Sequence, residues 1–156
     1  MKVNVKKKPK FAVAGINKWV ENTNECTRIW DHLYEEFLPG MLEKIGNGTR
    51  YGVSHGRTEG MAGYYYLTGY DVKNIEEAKT LDMDVKEFAE AEYAILELEG
   101  PVPQCLEEGW DHLKQVFFAQ AAYEHTGGPE IEVYHDGDIT KEDYRMELWV
   151  PVRKLD

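Results

Sequence analysis

Apolar residues recur along this chain with two different periods. Trp30, Leu33, Tyr34, Phe37, Leu38, Met41 and Ile45 follow one another at steps of three and four, the spacing that lines one buried face of an α-helix. Ahead of them, Asn22-Thr23-Asn24-Glu25 combines a small polar cap with the Asn22/Glu25 spacing of a capping box. Gly46-Asn47-Gly48 supplies the stop, so one helix is predicted between these signals. A second helix is expected after Pro101-Val102-Pro103, since proline is tolerated near a first turn, and is closed by Thr126-Gly127-Gly128-Pro129. Runs with strand periodicity surround both helices: Lys10 to Ile16 and Tyr93 to Leu98 before them, Tyr51 to His55 and Ile131 to Tyr134 after them, and Tyr64 to Tyr70 and Tyr144 to Val152 last.

The order strand, helix, strand, strand therefore occurs twice, and the letters repeat with it. Trp-Asp-His-Leu stands at Trp30 to Leu33 and again at Trp110 to Leu113, 80 positions on. At the same shift Phe37 meets Phe117, Tyr51 to His55 meets Ile131 to His135, and Tyr64 to Val72 meets Tyr144 to Val152. A duplicated unit explains this, with copies at about 10–72 and 92–152 and a linker at 73–91. Within the linker Ile75, Ala78 and Leu81 predict a short helical turn, and Met83 to Phe88 an extra edge strand. At 156 residues the two copies are read as one domain. The expected fold is α+β, a pseudo-twofold tandem repeat with antiparallel sheets, helices on one side and a central ligand groove, a common kind of place for a small-molecule site.

Strand alternation then sorts the side chains. In the last strand Met146, Leu148 and Val150 form the set that packs on the helices, which turns Arg145, Glu147 and Trp149 the other way. One strand earlier, Ile131 and Val133 are taken as core, placing Glu132 and Tyr134 on the face of Glu147. The first copy puts Tyr65 and Leu67 on that face. Two readings stay open for this collection. It is either a solvated sheet face with a cross-strand Glu to Arg pair or an aromatic pocket with a carboxylate at its base.

Composition narrows the partners. A net charge of −11 opposes a phosphate backbone, and the one basic stretch, five lysines between Lys2 and Lys10, reads as a frayed, solubilising end. Direct nucleic-acid binding is not expected, nor is membrane association, because no apolar run approaches a span and the start lacks a signal-peptide core. A cytoplasmic location is expected. Cys26 and Cys105 form no metal or redox motif and read as buried thiols. His32 and His112 turn away from the apolar stripe, no histidine spacing matches a metal site, and neither a phosphate-binding glycine loop nor a nucleophile elbow occurs. No metal and no cofactor are expected. Its unusual feature is aromatic, with 10 Tyr and 4 Trp, flat surfaces that carry polar tips. Trp30 and Trp110 are read as anchors of the two helices, with an edge able to reach the groove.

The tandem units, the Tyr93-Ala94-Ile95-Leu96 strand leading to Gly100-Pro101, the Glu132-Val133-Tyr134 strand and the closing Glu147-Leu148-Trp149-Val150-Pro151-Val152 together resemble the GyrI-like small-molecule-binding domain, from about Phe11 to Val152. The same domain forms the effector-binding part of multidrug-sensing regulators. The resemblance implies an aromatic groove in which a buried acid receives lipophilic, often cationic ligands, and it places that acid at Glu147. Some free-standing members hydrolyse cyclopropanoid alkylating compounds of the yatakemycin and duocarmycin type. No helix-turn-helix fits ahead of Phe11, so direct promoter binding is not expected.

Ring opening of such a compound needs a base that orients water and a donor for the oxygen that becomes phenolate. Glu147 is the first choice of base and Glu132 the second. Tyr65 and Tyr134 are the candidate donors, Trp149 a stacking surface, and Leu67 and Trp110 further lining. An apolar setting raises a carboxyl pKa and Arg145 beside it lowers one. The same residues suit a non-enzymatic module that senses or sequesters lipophilic cations. A third possibility is a gyrase-inhibitor-like interaction module, with DNA gyrase or a regulator as partner, that uses an acidic surface instead.

Overall fold

The computed structural model describes residues 1–156. In chain order the elements are β1 (Val3–Lys8), β2 (Phe11–Val20), a 3-10 turn (Thr23–Glu25), α1 (Cys26–Glu36), α2 (Pro39–Lys44), β3 (Arg50–His55), β4 (Tyr64–Asp71), α3 (Ile75–Thr80), β5 (Asp84–Phe88), β6 (Ala91–Glu99), α4 (Gln104–His112), a π-helical turn (Leu113–Phe117), a 3-10 turn (Phe118–Gln120), β7 (Tyr123–His125), β8 (Glu130–Tyr134) and β9 (Arg145–Lys154). The class is α+β with antiparallel strand pairs, as the pattern predicts. The chain divides into two compact units, Pro9–Glu90 and Ala91–Asp156 with Met1–Lys8.

In the first unit the strands run in the order β3-β4-β2-β5. Ile29, Leu33 and Phe37 pack with Ala14, Ile16, Val20, Tyr64, Tyr66 and Tyr70 of the sheet. The capping box forms as its spacing requires: the Asn22 side chain accepts from Asn24 N at 3.0 Å, and Glu25 accepts from Asn22 N at 3.1 Å. The single helix expected up to Gly46 is instead broken. Leu38 precedes Pro39, whose ring disfavours helical backbone in the residue before it; Leu38 is extended, Pro39 starts α2, and the Leu38 side chain is left 71% exposed. The linker carries the short helix and the extra strand that its pattern predicts, α3 and β5. Gly15 and Gly69 face each other across β2 and β4, where a Cβ on either would run into the opposite backbone.

In the second unit the order is β1-β6-β9-β8, with β7 also on β9. The core joins Ala94, Leu96 and Leu98 of β6 and Met146, Leu148, Val150 and Val152 of β9 to Cys105 and Leu113. The lysine-rich start is no frayed end. It forms β1, pairs with β6 from Val3↔Leu96 to Lys8↔Ala91, and inserts Val3 and Val5 against this core. Alternating valines make the segment a strand, while its lysines discourage another strand from adding to the open edge. The second helix also changes pitch before its expected end, passing at Leu113 into the π-helical turn. No helix of the chain is long and apolar enough to cross a membrane.

Candidate functional site

Backbone pairing decides which residues share a face, since partners across antiparallel strands project to the same side. The helix side of the second unit is fixed by Gly109 of α4, which lies against Leu98 and Leu148. Glu132 is paired with Leu148 and Tyr134 with Met146, and both of those partners belong to the helix-side core. Glu132 and Tyr134 are therefore on the helix face, while Ile131 and Val133 pair with Trp149 and Glu147 on the opposite one. This reverses the expectation from alternation. Ile131 and Val133 are 0% and 3% exposed and Glu132 and Tyr134 only half-buried, so the apolar set of this strand packs on the face away from α4, and alternation alone does not say which face the helix covers.

On the helix face the Tyr134 hydroxyl donates to Glu132 Oε1 at 2.7 Å, and both residues are half-buried. A hydroxyl donor of this kind orients a carboxylate. Nearby, burial pushes the Cys105 thiol above its ordinary range, and the carboxylates of Glu108 and Glu132 add to the rise. Trp110 packs partly buried on the same core. The helix face thus brings together an acid, a phenol and an indole-bearing helix.

Glu147 has different company. Its Oε1 accepts from Trp149 Nε1 at 3.2 Å and its Oε2 lies 3.0 Å from His135 Nε2. Arg145 does not neutralise it, because its guanidinium pairs with Glu99 at 3.7 Å. Trp149 is 8% exposed; its ring meets Tyr93 at 5.7 Å between centroids, and Lys8 Nζ lies 4.8 Å from the ring. Glu147 and Trp149 do share a face, as alternation predicts, within a polar lock. His135 was not anticipated. It stands 80 positions after His55, so the repeat was the signal that could have drawn attention to it.

In the first unit Leu67 is fully buried, and Tyr65 is 42% exposed on the face away from α1. Tyr65 stacks on His55 at 5.6 Å and meets Trp19 edge-on at 5.1 Å. Burial lowers the His55 pKa to about 4, with Lys86 adding to the effect, and His55 Nε2 sits 2.9 Å from Asn17 Oδ1. On the helix face, three side chains one turn apart on α1 are joined to three β4 tyrosines. Cys26 Sγ lies 3.5 Å from the Tyr64 hydroxyl, Trp30 Nε1 donates to the Tyr66 hydroxyl at 3.0 Å, and the Tyr34 and Tyr70 hydroxyls are 2.9 Å apart. Burial, reinforced by Tyr34, pushes the Tyr70 pKa well up. The four-residue spacing of Cys26, Trp30 and Tyr34 carried this signal in the sequence. At the open end of the series, the Arg57 guanidinium lies 3.9 Å from the Tyr64 ring centroid.

A family model described as a GyrI-like small molecule binding domain matches residues 1–153. Among solved structures, SAV2435 bound to tetraphenylphosphonium superposes with a TM-score of 0.82 at 22% identity, covering 98% of this chain and 94% of that one. A transcription regulation protein from Staphylococcus aureus MU50 gives 0.77 at 22% identity, with 98% and 99% covered. A hydrolase encoded by lin2189 from Listeria innocua gives 0.61 at 12% identity, with 97% and 92% covered. No curated protein sequence matches the chain at a significant level. At these identities the likeness to the solved structures is one of fold.

Proposed function

This chain belongs to the GyrI-like small-molecule-binding family, and from that premise we propose that it binds flat, lipophilic molecules, cations above all, with the Glu132 carboxylate as counter-charge. The carrying observation is the half-buried Glu132, oriented by the Tyr134 hydroxyl at 2.7 Å on the helix face. A carboxylate partly removed from water is costly unless a cation or hydrogen bonds compensate it. A lipophilic cation, weakly hydrated itself, answers that cost without paying a large desolvation penalty of its own. Glu147 lies on the opposite face, where His135 and Trp149 hold it. Tetraphenylphosphonium, the ligand in the SAV2435 structure, is a suitable probe. In calorimetric titration Glu132→Gln is expected to lower affinity about tenfold or more, roughly 1.4 kcal/mol, and Glu147→Gln to leave it near the parent value. The opposite ranking would refute this assignment and move the acid to the other face.

Hydrolysis is a second reading, favoured by the same pair. Glu132 is a base within 2.7 Å of a phenol. In a cyclopropanoid alkylator, water would attack the ring carbon and give its proton to Glu132. The breaking ring bond sends its electrons to the dienone oxygen, and the Tyr134 hydroxyl, turning from Glu132, donates its one hydrogen bond to that oxygen as it becomes phenolate. Incubation of a duocarmycin-type compound with the chain should then give a product heavier by one water, formed over many turnovers and lost in Glu132→Gln. Compound that stays intact while tetraphenylphosphonium binds would leave a binding protein without this activity.

A further inference from the structure

We infer that the second unit carries another site, opposite in sign and on the face turned away from α4, where the Tyr93 hydroxyl and the ammonium groups of Lys6 and Lys8 receive the carboxylate of a small organic acid. Tyr93 stands on β6, opposite Lys6 on β1 and Pro151 on β9. It is 1% exposed, and its ring meets that of Trp149 at 5.7 Å between centroids, yet its hydroxyl makes no hydrogen bond. Every fully buried polar side-chain atom of the chain has a partner, so the small part of Tyr93 that stays accessible includes its oxygen. A donor held this way lacks the hydrogen bond that a ligand oxygen would restore. Burial pushes its pKa up, so the hydroxyl stays protonated, and a donor, at neutral pH.

The charge comes from β1. Asn4, Lys6 and Lys8 alternate onto the face of Tyr93, opposite Ile95, Tyr93 and Ala91. Lys6 pairs with no carboxylate, and Lys8 makes one contact, its Nζ 4.8 Å from the centre of the Trp149 ring. Trp149 is opposite Ile95 on the far side of β6, so the Lys8 side chain reaches it by passing over Tyr93. Glu147 meets Trp149 at the indole nitrogen, turns its other oxygen to His135, and forms an ion pair with neither lysine. A carboxylate suits this donor set, one oxygen accepting from the hydroxyl and the other facing an ammonium group. Phosphate suits it less, because phosphate sites draw on free backbone N–H groups, and β6 is paired on both sides.

The test uses the full chain and benzoate, followed by amide correlation spectra of the nitrogen-labelled protein. Benzoate should shift the amides of residues 4–8 and 92–94 and saturate, and neutral benzamide should bind at least about tenfold more weakly. Tyr93→Phe keeps the ring and should lower benzoate affinity about tenfold or more, the size of a hydrogen bond to a charged group. Lys6→Gln and Lys8→Gln should each lower it about two- to fivefold, an effect that shrinks in about 0.5 M salt. Without ligand, Tyr93→Phe should melt at the parent temperature, since the hydroxyl has no partner to lose. A lower Tm would make that hydroxyl structural and overturn the site. So would unmoved amides, benzamide or inorganic phosphate binding as tightly as benzoate, or full affinity in Tyr93→Phe or in both lysine variants. None of these outcomes bears on the Glu132 dependence of tetraphenylphosphonium binding, which tests the other face by itself.

Discussion

The two copies have kept the same frame and divided its properties. In the first unit Trp30 and Tyr34 of the helix reach hydroxyl groups on Tyr66 and Tyr70. At the corresponding positions, 80 residues on, Trp110 and Lys114 stand opposite Met146 and Val150, which give no hydrogen-bond partner of that kind. The polar series is replaced by apolar packing, with Gly109 seated on Leu98 and Leu148. The second helix then gives way to a π-helical turn and a 3-10 turn, forms common where a helix is locally strained or functional. In return the second copy has Glu132 and Tyr134 where the first has Gly52 and Ser54. Duplication has left one half fastened by polar contacts and the other equipped with an acid.

The harshest way to break the comparison is to take from the second unit the strand it receives from the chain's start. Deleting residues 1–8 removes β1 and withdraws Val3 and Val5 from the core. Two valines leaving a core cost about 1–1.5 kcal/mol each, and the abandoned β6 ladder adds about 1–2 kcal/mol. Thermal denaturation should show Tm lower by about 10 °C. The apolar β6 edge, Ala91–Glu99, should make the truncated chain aggregate on heating. An unchanged Tm would mean that β1 is an ornament of the second unit and not part of it.

That strand also marks the limit of what the sequence made legible. Element types and the repeat were readable because long amphipathic patterns state their own period. The β1 strand was hidden because its lysines resemble a solvated tail, and only pairing with β6 gives its valines something to cover. The break at Leu38-Pro39 was written in the proline and overridden by the periodicity on either side of it. The site was half legible. Alternation put Glu147, Trp149 and Tyr65 on the faces they occupy, but Glu132 and Tyr134 on the wrong one. Residue spacing fixes the two faces of a strand and leaves their assignment to the neighbouring strand's register. Arg57 on Tyr64 lay beyond reach, since a loop side chain's resting place depends on contacts no periodicity encodes.

A milder intervention sharpens the contrast between the two helix attachments. Tyr66→Phe removes the acceptor of the Trp30 indole and is expected to cost about 1–2 kcal/mol in chemical denaturation, because a part-buried donor loses its partner. Met146→Leu, at the repeat-equivalent position, conserves volume and should cost less than about 1 kcal/mol. Amide exchange should follow the same division, with α1 better protected than the turns at Leu113 to Gln120. Equal costs for the two substitutions would mean that the hydroxyl series contributes packing alone.

The smallest expected effect concerns His55, whose repeat counterpart His135 faces Glu147 while His55 stacks on Tyr65. Burial holds the His55 pKa at about 4, against 6.5 for the free side chain. Between these values the unfolded chain takes up a proton that the folded chain refuses, so acidification favours unfolding. The contribution is fully present above about pH 6.5 and is lost as pH falls toward about 4. His55→Gln keeps a side chain able to donate to Asn17 and cannot titrate. Urea midpoints of the two proteins, measured from pH 7.5 down to pH 4.5, should therefore converge or cross, the parent falling more steeply below about pH 6.5. Parallel curves would mean that His55 protonates freely in the folded state, and that its stack on Tyr65 tolerates the charged ring as well as the neutral one.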